Sequence, residues 1–194
     1  GLSASGKSTG AKLISKKYGL KLLSSGLLYR YASHKLLLNK KLKNKFVYLK
    51  KIANKITSQK LKSKKLFDPE VTAYAAEIAK SKKVRLILRK YQKNFAKQRL
   101  VIIEGRDSGT VICPNADIKF FFTCILSTKA RRRLIDYRNI DKKITFKEVK
   151  KALKKRDFQD INRKYSPLKQ SKDSIVIDTS KLNKKQMMHK ISTV

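Results

Sequence analysis

The first eight residues, GLSASGKS, fit the pattern G-x-x-x-x-G-K-[ST] without a mismatch. In such a segment the backbone N–H groups of the turn and of the following helix wrap phosphate oxygens. Lys7 supplies positive charge for the outer phosphates of a nucleotide, and the Ser8 hydroxyl reaches Mg²⁺. The predicted phosphate-binding residues are Gly1, Ser3, Ala4, Ser5, Gly6, Lys7, Ser8 and Thr9. We call residues 1–9 the phosphate loop; the alternative is a chance Gly/Ser turn before a helix.

A second group of candidate residues lies on one predicted helix. Arg156, Asp160 and Arg163 are spaced i, i+4 and i+7, so they share one helical face. The same face begins with the apolar residues Val149 and Leu153. A core-facing stripe that turns from apolar to charged buries unpaired charge unless it meets a ligand. The pattern therefore indicates a binding surface, and the alternative is an Arg156–Asp160 ion pair in water.

The elements that must position these residues are predicted from apolar periodicity and capping signals. Asp-Pro-Glu at 68–70 is typical of a helix start, Ser127 is an expected helix cap, and Thr145 with Glu148 forms a capping-box pattern. The predicted helices are 6–18, two within 27–65, 68–96, 127–138, 145–163 and 183–191, and the predicted strands are 21–24, 100–104, 118–124 and 175–178. Strands that alternate with helices predict an α/β fold with a largely parallel sheet.

The phosphate loop normally follows a strand, whereas this sequence starts on the first glycine of the motif. We therefore expect the first, central strand of the sheet to be missing from this chain.

Composition narrows the class of protein further. The 194 residues include 50 Lys and Arg against 13 Asp and Glu, which gives a formal net charge of +37. A chain of 194 residues is long enough for one domain with a core. The longest apolar run, 120–126, is far shorter than the roughly 20 residues that cross a bilayer. Cys113 and Cys124 have no metal-ligand spacing, which favours a reducing compartment. The Lys excess is typical of a solvated surface, and a nucleic-acid partner is the alternative.

Four segments together resemble the bacterial cytidylate kinases, P-loop enzymes that pass the γ-phosphoryl group of ATP to CMP or dCMP. They are GLSASGKST, SSGLLYR, IEGRDSGTVICPNADIKFF and RDFQDINRKYSPL. The resemblance implies a single P-loop kinase domain over 1–194 with a three-layer α/β/α fold, a helical NMP-binding subdomain at 27–96 and an Arg-rich lid at 127–163. It also implies ATP as donor, Mg²⁺, CMP or dCMP as acceptor, and a cytoplasmic monomer with neither a membrane nor a specific nucleic-acid partner.

The resemblance assigns roles to the residues that bind the acceptor. The acceptor phosphate is expected to be held by Arg30, Arg106 and Arg163 with Ser25. Arg156 and Asp160 match positions that contact the ribose hydroxyls. Arg85 and Asp107 match positions that face the cytosine edge, where a carboxylate accepts from an exocyclic amine that uracil lacks.

On the donor side, the resemblance implies that basic residues near Arg131–Arg133 close over the ATP phosphates. Three consecutive arginines cannot all face one site, so one or two of them are expected to act. Glu104 resembles a Walker-B carboxylate, which with Ser8 is expected to act on Mg²⁺ directly or through water. The expected catalytic residues are Lys7, Arg106, Arg132, Arg133 and Arg163.

The sequence departs from the family in three places. Ala76 stands where a Ser usually touches the base, which is expected to soften the cytosine preference by about 1 kcal/mol. Ser24 replaces a frequent acidic residue, and a β-rich insert is replaced by Lys-rich sequence at 40–65. Three other interpretations stay open: a P-loop kinase for another nucleoside monophosphate or for shikimate, a basic nucleic-acid-binding P-loop protein, and an inactive relative.

Overall fold

The computed structural model describes residues 1–138 and 143–194. They form two compact units, one of Gly1–Leu22 with Arg106–Val194 and one of Leu23–Gly105. The helices are α1 (Lys7–Tyr18), α2 (Ser25–Leu37), α3 (Lys45–Ala53), α4 (Pro69–Ile78), α5 (Lys82–Ala96), α6 (Leu126–Arg138), α7 (Phe146–Asn162) and α8 (Lys184–Ser192). The strands are β1 (Lys21–Ser24), β2 (Val101–Glu104), β3 (Phe120–Thr123) and β4 (Ile175–Asp178). The predicted α/β class is confirmed.

The four strands are arranged as two pairs, β1 with β2 and β3 with β4. β3 and β4 run parallel, with Phe120 opposite Ile175 and Thr123 opposite Asp178. Every helix within the two described ranges is too short or too polar to cross a bilayer.

In the first unit, the phosphate loop and α1 lie directly against β3. The Leu2 N–H donates to the Phe122 carbonyl oxygen at 3.2 Å. A Cβ added to Gly10 would lie 2.7 Å from Phe122 Cζ, so glycine is what lets α1 approach the strand this closely. α1 begins after Gly6, which has a φ of 86°, and ends at Gly19, whose φ of 65° is a left-handed helix stop.

Helices α6 and α7 pack together in the first unit around Ala130, Val149 and Leu153. The predicted capping box at the start of α7 is confirmed, because Thr145 and Glu148 each accept from the other's backbone N–H. The predicted Ser127 cap is wrong. α6 begins at Leu126, and in its first turn the backbone N–H of Lys129 donates to the Ile125 carbonyl oxygen. Ser127 therefore lies inside the helix and not at its cap position. The predicted lid includes residues 139–142, which lie outside the described residues.

The second unit is built from α2 to α5 around a core of Leu28, Leu49, Leu66 and Leu88. The two helices expected within 27–65 are α2 and α3, although α2 already starts at Ser25. Two short 3₁₀ turns, Lys60–Lys62 and Lys64–Phe67, complete this segment.

The single helix predicted over 68–96 is wrong, because the chain breaks it into α4 and α5. The predicted start is confirmed, since the Asp68 carboxylate accepts from the Glu70 N–H at 2.8 Å. A second cap was overlooked: the Ser81 hydroxyl accepts from the Val84 N–H at 3.4 Å. This cap starts α5 as a separate helix after a short turn. The turn lets α4 and α5 each bury their own apolar face in the same unit.

Candidate active site

The phosphate loop is held in a bent shape by its own polar groups. Ser5 Oγ and Lys7 Nζ both donate to the Leu2 carbonyl oxygen at 2.9 Å. Ala4 has a φ of 54° and Gly6 one of 86°, both in the left-handed region. A non-glycine residue in that region is strained, and such strain concentrates where a backbone must present a fixed shape to a ligand. Lys7 is buried at the start of α1.

The remaining loop residues differ in exposure. Ser8 is exposed in the first turn of α1, Thr9 and Gly1 are half-buried, and Ser3 and Ser5 are buried. The Ser5 carbonyl oxygen accepts from Thr179 Oγ1 at 2.9 Å, just beyond the end of β4. The loop is therefore anchored to the strand pair at two points: through Leu2 to β3 and through Ser5 to the residue after β4.

Three predicted acceptor-site residues meet in the first unit, in what we call the Asp160 cluster: Arg106, Asp160 and Arg163. Arg106 Nε donates to Asp160 Oδ2 at 2.8 Å, and Arg163 Nη1 donates to Oδ1 at 3.1 Å. Arg106 Nη2 also lies 3.4 Å from Ser3 Oγ, which links the cluster to the phosphate loop. The cluster thus holds two guanidinium groups on one carboxylate, and that of Arg106 lies next to a residue predicted to bind nucleotide phosphates, a suitable arrangement for recognising an anion.

Electrostatics keep the Asp160 carboxylate charged. Burial by itself raises the pKa of Asp160, but the neighbouring Arg106, with Arg163 and Arg156, outweighs burial and brings the pKa below its ordinary value of 3.8. The carboxylate fixes the orientation of two arginines from different parts of the chain. The ion pair between Arg156 and Asp160 alone, weighed as the alternative above, does not describe this geometry.

The three consecutive arginines of α6 differ in exposure and in the groups that they contact. Arg131 is exposed, whereas Arg133 lies 3.7 Å from the Asp136 carboxylate and over the Tyr137 ring. Arg132 turns toward the residue after β4, where it donates to the carbonyl oxygen of Thr179 at 2.7 Å and to its Oγ1 at 3.0 Å. Because Thr179 in turn binds Ser5, Arg132 is joined to the phosphate loop through one intervening side chain.

The base-facing candidate Asp107 lies in the first unit, where it is buried at the start of a short helical turn, Ser108–Ile112. Its carbonyl oxygen accepts from the Val111 N–H at 2.9 Å. This turn, which the sequence analysis does not predict, fixes the backbone directly after Arg106.

In the second unit, Arg85 and Arg30 are oriented by aromatic rings. Arg85 is only 3% exposed, donates from Nε to the Ala79 carbonyl oxygen at 2.6 Å and lies over the Tyr29 ring, 5.5 Å from its centroid. Arg30 lies over the Phe67 ring at 5.2 Å. The attraction between a guanidinium group and an aromatic ring helps to hold each of these side chains in place.

Two further candidates of the second unit are fixed by polar contacts. Glu104 at the end of β2 is buried and accepts from the Ser24 hydroxyl at 2.6 Å. Ser25 is buried and accepts from Gln92 Nε2 at 2.7 Å. Gln92 is not among the predicted site residues. The available signal is its place at i+4 from Leu88 and i+7 from Arg85, on the buried face of α5.

Asp157 is a second residue absent from the predicted site. It lies on α7, is 7% exposed, accepts from the Ser3 N–H at 2.8 Å and pairs with the Lys129 ammonium group. The available signal is its spacing: Val149, Leu153 and Asp157 stand at i, i+4 and i+8, which puts an acid on the apolar stripe.

Comparison with known proteins gives consistent similarity over the whole chain. The sequence model of the cytidylate kinase family matches residues 1–194. A protein named cytidylate kinase from Thermosipho melanesiensis is 34% identical over 212 residues, covering 100% of this chain and 93% of that protein. One from Clostridium botulinum strain Hall is 34% identical over 204 residues, covering 100% and 94%. One from Caldicellulosiruptor saccharolyticus is 31% identical over 208 residues, covering 98% and 91%.

Proposed function

Because this chain belongs to the cytidylate kinase family, we propose that it transfers the γ-phosphoryl group of ATP to CMP or dCMP. A bond forms between an acceptor phosphate oxygen and the γ-phosphorus, and the bond from that phosphorus to the β–γ bridging oxygen breaks. The products are ADP and CDP or dCDP. The observation that carries the proposal is the Asp160 cluster, in which one carboxylate binds Arg106 and Arg163, and Arg106 also lies beside Ser3 of the phosphate loop.

In this proposal the phosphate loop binds ATP, with Lys7 neutralising the outer phosphates. The acceptor oxygen is already anionic, so no general base is required, and catalysis consists of in-line positioning and charge neutralisation. The residues proposed to bind the acceptor phosphate are Arg106, Arg163 and Arg30, with Ser25 assisting. The ion pairs to Asp160 orient both arginines of the first unit before the substrate arrives.

Arg85 and Asp107 recognise the cytosine edge, and Arg156 with Asp160 contacts the ribose. Burial of Asp107 and Arg85 supports a base-reading role, because a desolvated donor or acceptor left unpaired by the wrong base is costly. Asp160 then serves twice, as a ribose contact and as the carboxylate that orients the two arginines.

Residues 127–163 act as the lid and 27–96 as the NMP-binding subdomain of one three-layer P-loop kinase domain. Closing a lid over the phosphates excludes water and suppresses wasteful hydrolysis of ATP. Of the α6 arginines, Arg133 and Arg131 are the better candidates for direct contact with phosphates, because Arg132 already donates to Thr179 and to the Leu182 carbonyl oxygen. The family also implies a cytoplasmic monomer.

The residues expected to hold Mg²⁺ are Ser8 and Glu104. A hydroxyl and a carboxylate are hard oxygen donors, which suit Mg²⁺, and an exposed Ser8 leaves room for water and phosphate ligands. When bound, the ion supplies charge neutralisation on the phosphates. The Ser24 hydroxyl donates to Glu104 Oε2 at 2.6 Å, which helps to hold this carboxylate in place.

The test is a coupled ADP-release assay with Mg-ATP and each of CMP, dCMP, UMP, AMP and GMP. Turnover that depends on CMP and dCMP supports the proposal, and ATP hydrolysis without acceptor should be slow in comparison. A folded protein with no acceptor-dependent turnover, or one that prefers AMP or GMP, contradicts it.

A further inference from the structure

Asp157 and Lys129 form a buried ion pair in the first unit. Lys129 is 3% exposed and Asp157 7% exposed. A buried ion pair costs desolvation of both partners and is often no more stabilising than an apolar pair of the same size. Its presence beside the phosphate loop therefore calls for a reason other than stability.

The Asp157 carboxylate has a second task. Its Oδ1 accepts from the backbone N–H of Ser3 at 2.8 Å, and Ser3 is 1% exposed. Since this N–H is bound inside the protein, a contact from Ser3 to a phosphate would come from its hydroxyl. The carboxylate thus fixes the backbone of the phosphate loop one residue before the strained Ala4.

Lys129 brings a third segment to the same carboxylate. It lies on α6, two residues before Arg131, whereas Asp157 lies on α7 between Arg156 and Asp160. A second connection runs in parallel, from Arg132 through Thr179 Oγ1 to the Ser5 carbonyl oxygen. Helix α6 is therefore tied to the phosphate loop at two points, on either side of Ala4.

We propose that Asp157 is a positioning residue: its buried carboxylate holds the phosphate loop by the Ser3 N–H and couples the loop to the arginine-bearing helix α6 through Lys129. This inference rests on the proposed role of residues 1–9 in binding ATP. Lys129 has a second effect, because its charge cancels that of a carboxylate that would otherwise repel the phosphates across a short distance in a desolvated region.

The experiment separates the hydrogen bond from the charge with two double variants that differ at one residue. D157N/K129M keeps an acceptor for the Ser3 N–H without either charge, and D157L/K129M removes the acceptor at similar side-chain size. The single variant K129M leaves the carboxylate unpaired. For each protein we would measure KM for ATP, KM for CMP, kcat, Tm and hydrogen exchange of the peptide that covers residues 1–9.

We expect D157L/K129M to raise KM for ATP about tenfold relative to D157N/K129M, because a buried N–H loses its partner. Hydrogen exchange of residues 1–9 should become faster, while KM for CMP should change by less than about twofold. K129M should also raise KM for ATP, and adding D157N should restore it, since the second change removes the unpaired charge. This rescue keeps the test decisive if D157L/K129M does not fold.

The proposal is overturned if the two double variants share the same KM for ATP and the same exchange rates. It is also overturned if KM for CMP rises instead, which would show that Asp157 only supports α7. K119M/D173N removes another Lys–Asp pair of the same unit and controls for lost stability; it should leave KM for ATP unchanged. K7A tests the loop assignment itself: if K7A leaves ATP use intact, the proposed loop function has failed and not only the role of Asp157.

Discussion

At the scale of single residues, the site depends on a few charges whose neighbours keep them in place. Lys7 and the Asp160 cluster are examples: each cationic group is directed by an oxygen of the protein and is placed before any ligand arrives. Preorganised charge is the largest source of rate enhancement expected for phosphoryl transfer, because the protein has little covalent chemistry to perform.

Replacing Lys7 with Ala is expected to lower kcat by at least about a thousandfold, because Lys7 is proposed to neutralise the charge that develops on the transferred group. Binding of CMP, measured by calorimetry without ATP, should persist. Lys12→Ala removes an equal charge from an exposed position of the same helix and should have little effect on kcat. Unchanged turnover in Lys7→Ala would contradict the loop assignment.

Replacing Asp107 with Ala should reduce the ratio of kcat/KM for CMP to that for UMP by about tenfold or more. The reason is that the buried Asp107 carboxylate is proposed to accept from the cytosine amine, and uracil presents a carbonyl oxygen there. KM for ATP should change little. Asp117→Ala, at an exposed site of the same unit, is the matched control. A preserved preference for CMP would remove Asp107 from the base-binding site.

Asp160 makes folding stability depend on pH. Its pKa is below 3.8 in the folded protein, so its contribution is present above the pKa of the unfolded chain and is lost as pH falls through the folded-state pKa. Asp160→Asn should therefore lower the free energy of unfolding by about 2 kcal/mol near neutral pH, and the difference from wild type should shrink below about pH 4. Urea unfolding from about pH 7 to about pH 3 measures it, with the exposed Asp117→Asn as control. A difference that stays constant over this range would contradict the assignment.

At the scale of elements, the helices set which side chains face each other. In the second unit, α5 places Gln92 against Ser25 of α2, and both residues are buried. The Gln92 side-chain amide donates to the Ser25 hydroxyl at 2.7 Å, and this contact helps to orient the hydroxyl.

Gln92→Leu should lower the free energy of unfolding by about 1–3 kcal/mol, because the Ser25 hydroxyl loses its buried partner. It should also raise KM for CMP more than KM for ATP, since Ser25 is proposed to assist the acceptor phosphate. Gln59→Leu, at an exposed position of the same unit, is the control. Combining Gln92→Leu with Ser25→Ala should cost less than the sum of the single changes, and strict additivity would argue against the contact.

Local signals allowed most elements to be predicted from the sequence. Asp68 as a cap and the Thr145–Glu148 box act within a few residues of their partners, and the structure has both. The break before α5 was not predicted. The Ser81 cap marks it, and so does the apolar spacing, because Ile78 and Val84 are six positions apart and would lie on different faces of one continuous helix.

The contacts missed within the site are those between residues distant in the sequence. Asp157 meets Ser3 across 154 positions and Lys129 across 28, and Gln92 meets Ser25 across 67. No periodicity reports such partners. The sequence shows only that a polar residue occupies a buried face. Which residue forms a hydrogen bond with it depends on the fold.

At the scale of the whole molecule, the dominant feature is a net charge of +37 on 194 residues. Both substrates are anionic, so the field of the protein should attract them and raise the rate of encounter. Such attraction is screened by salt over about 10 Å at 0.1 M. Charges at the site itself act within contact distance and are screened much less.

The apparent KM for CMP should therefore rise several-fold when KCl is raised from about 50 to about 300 mM at fixed saturating ATP, while kcat changes little. Potassium acetate at matched ionic strength should give the same rise, because screening depends on ionic strength and not on the identity of the anion. A rise with only one of the two salts would indicate competition by that anion for the phosphate sites. A flat profile with both would mean that the lysine-rich surface does not steer the acceptor, and that its charge serves solubility or another partner.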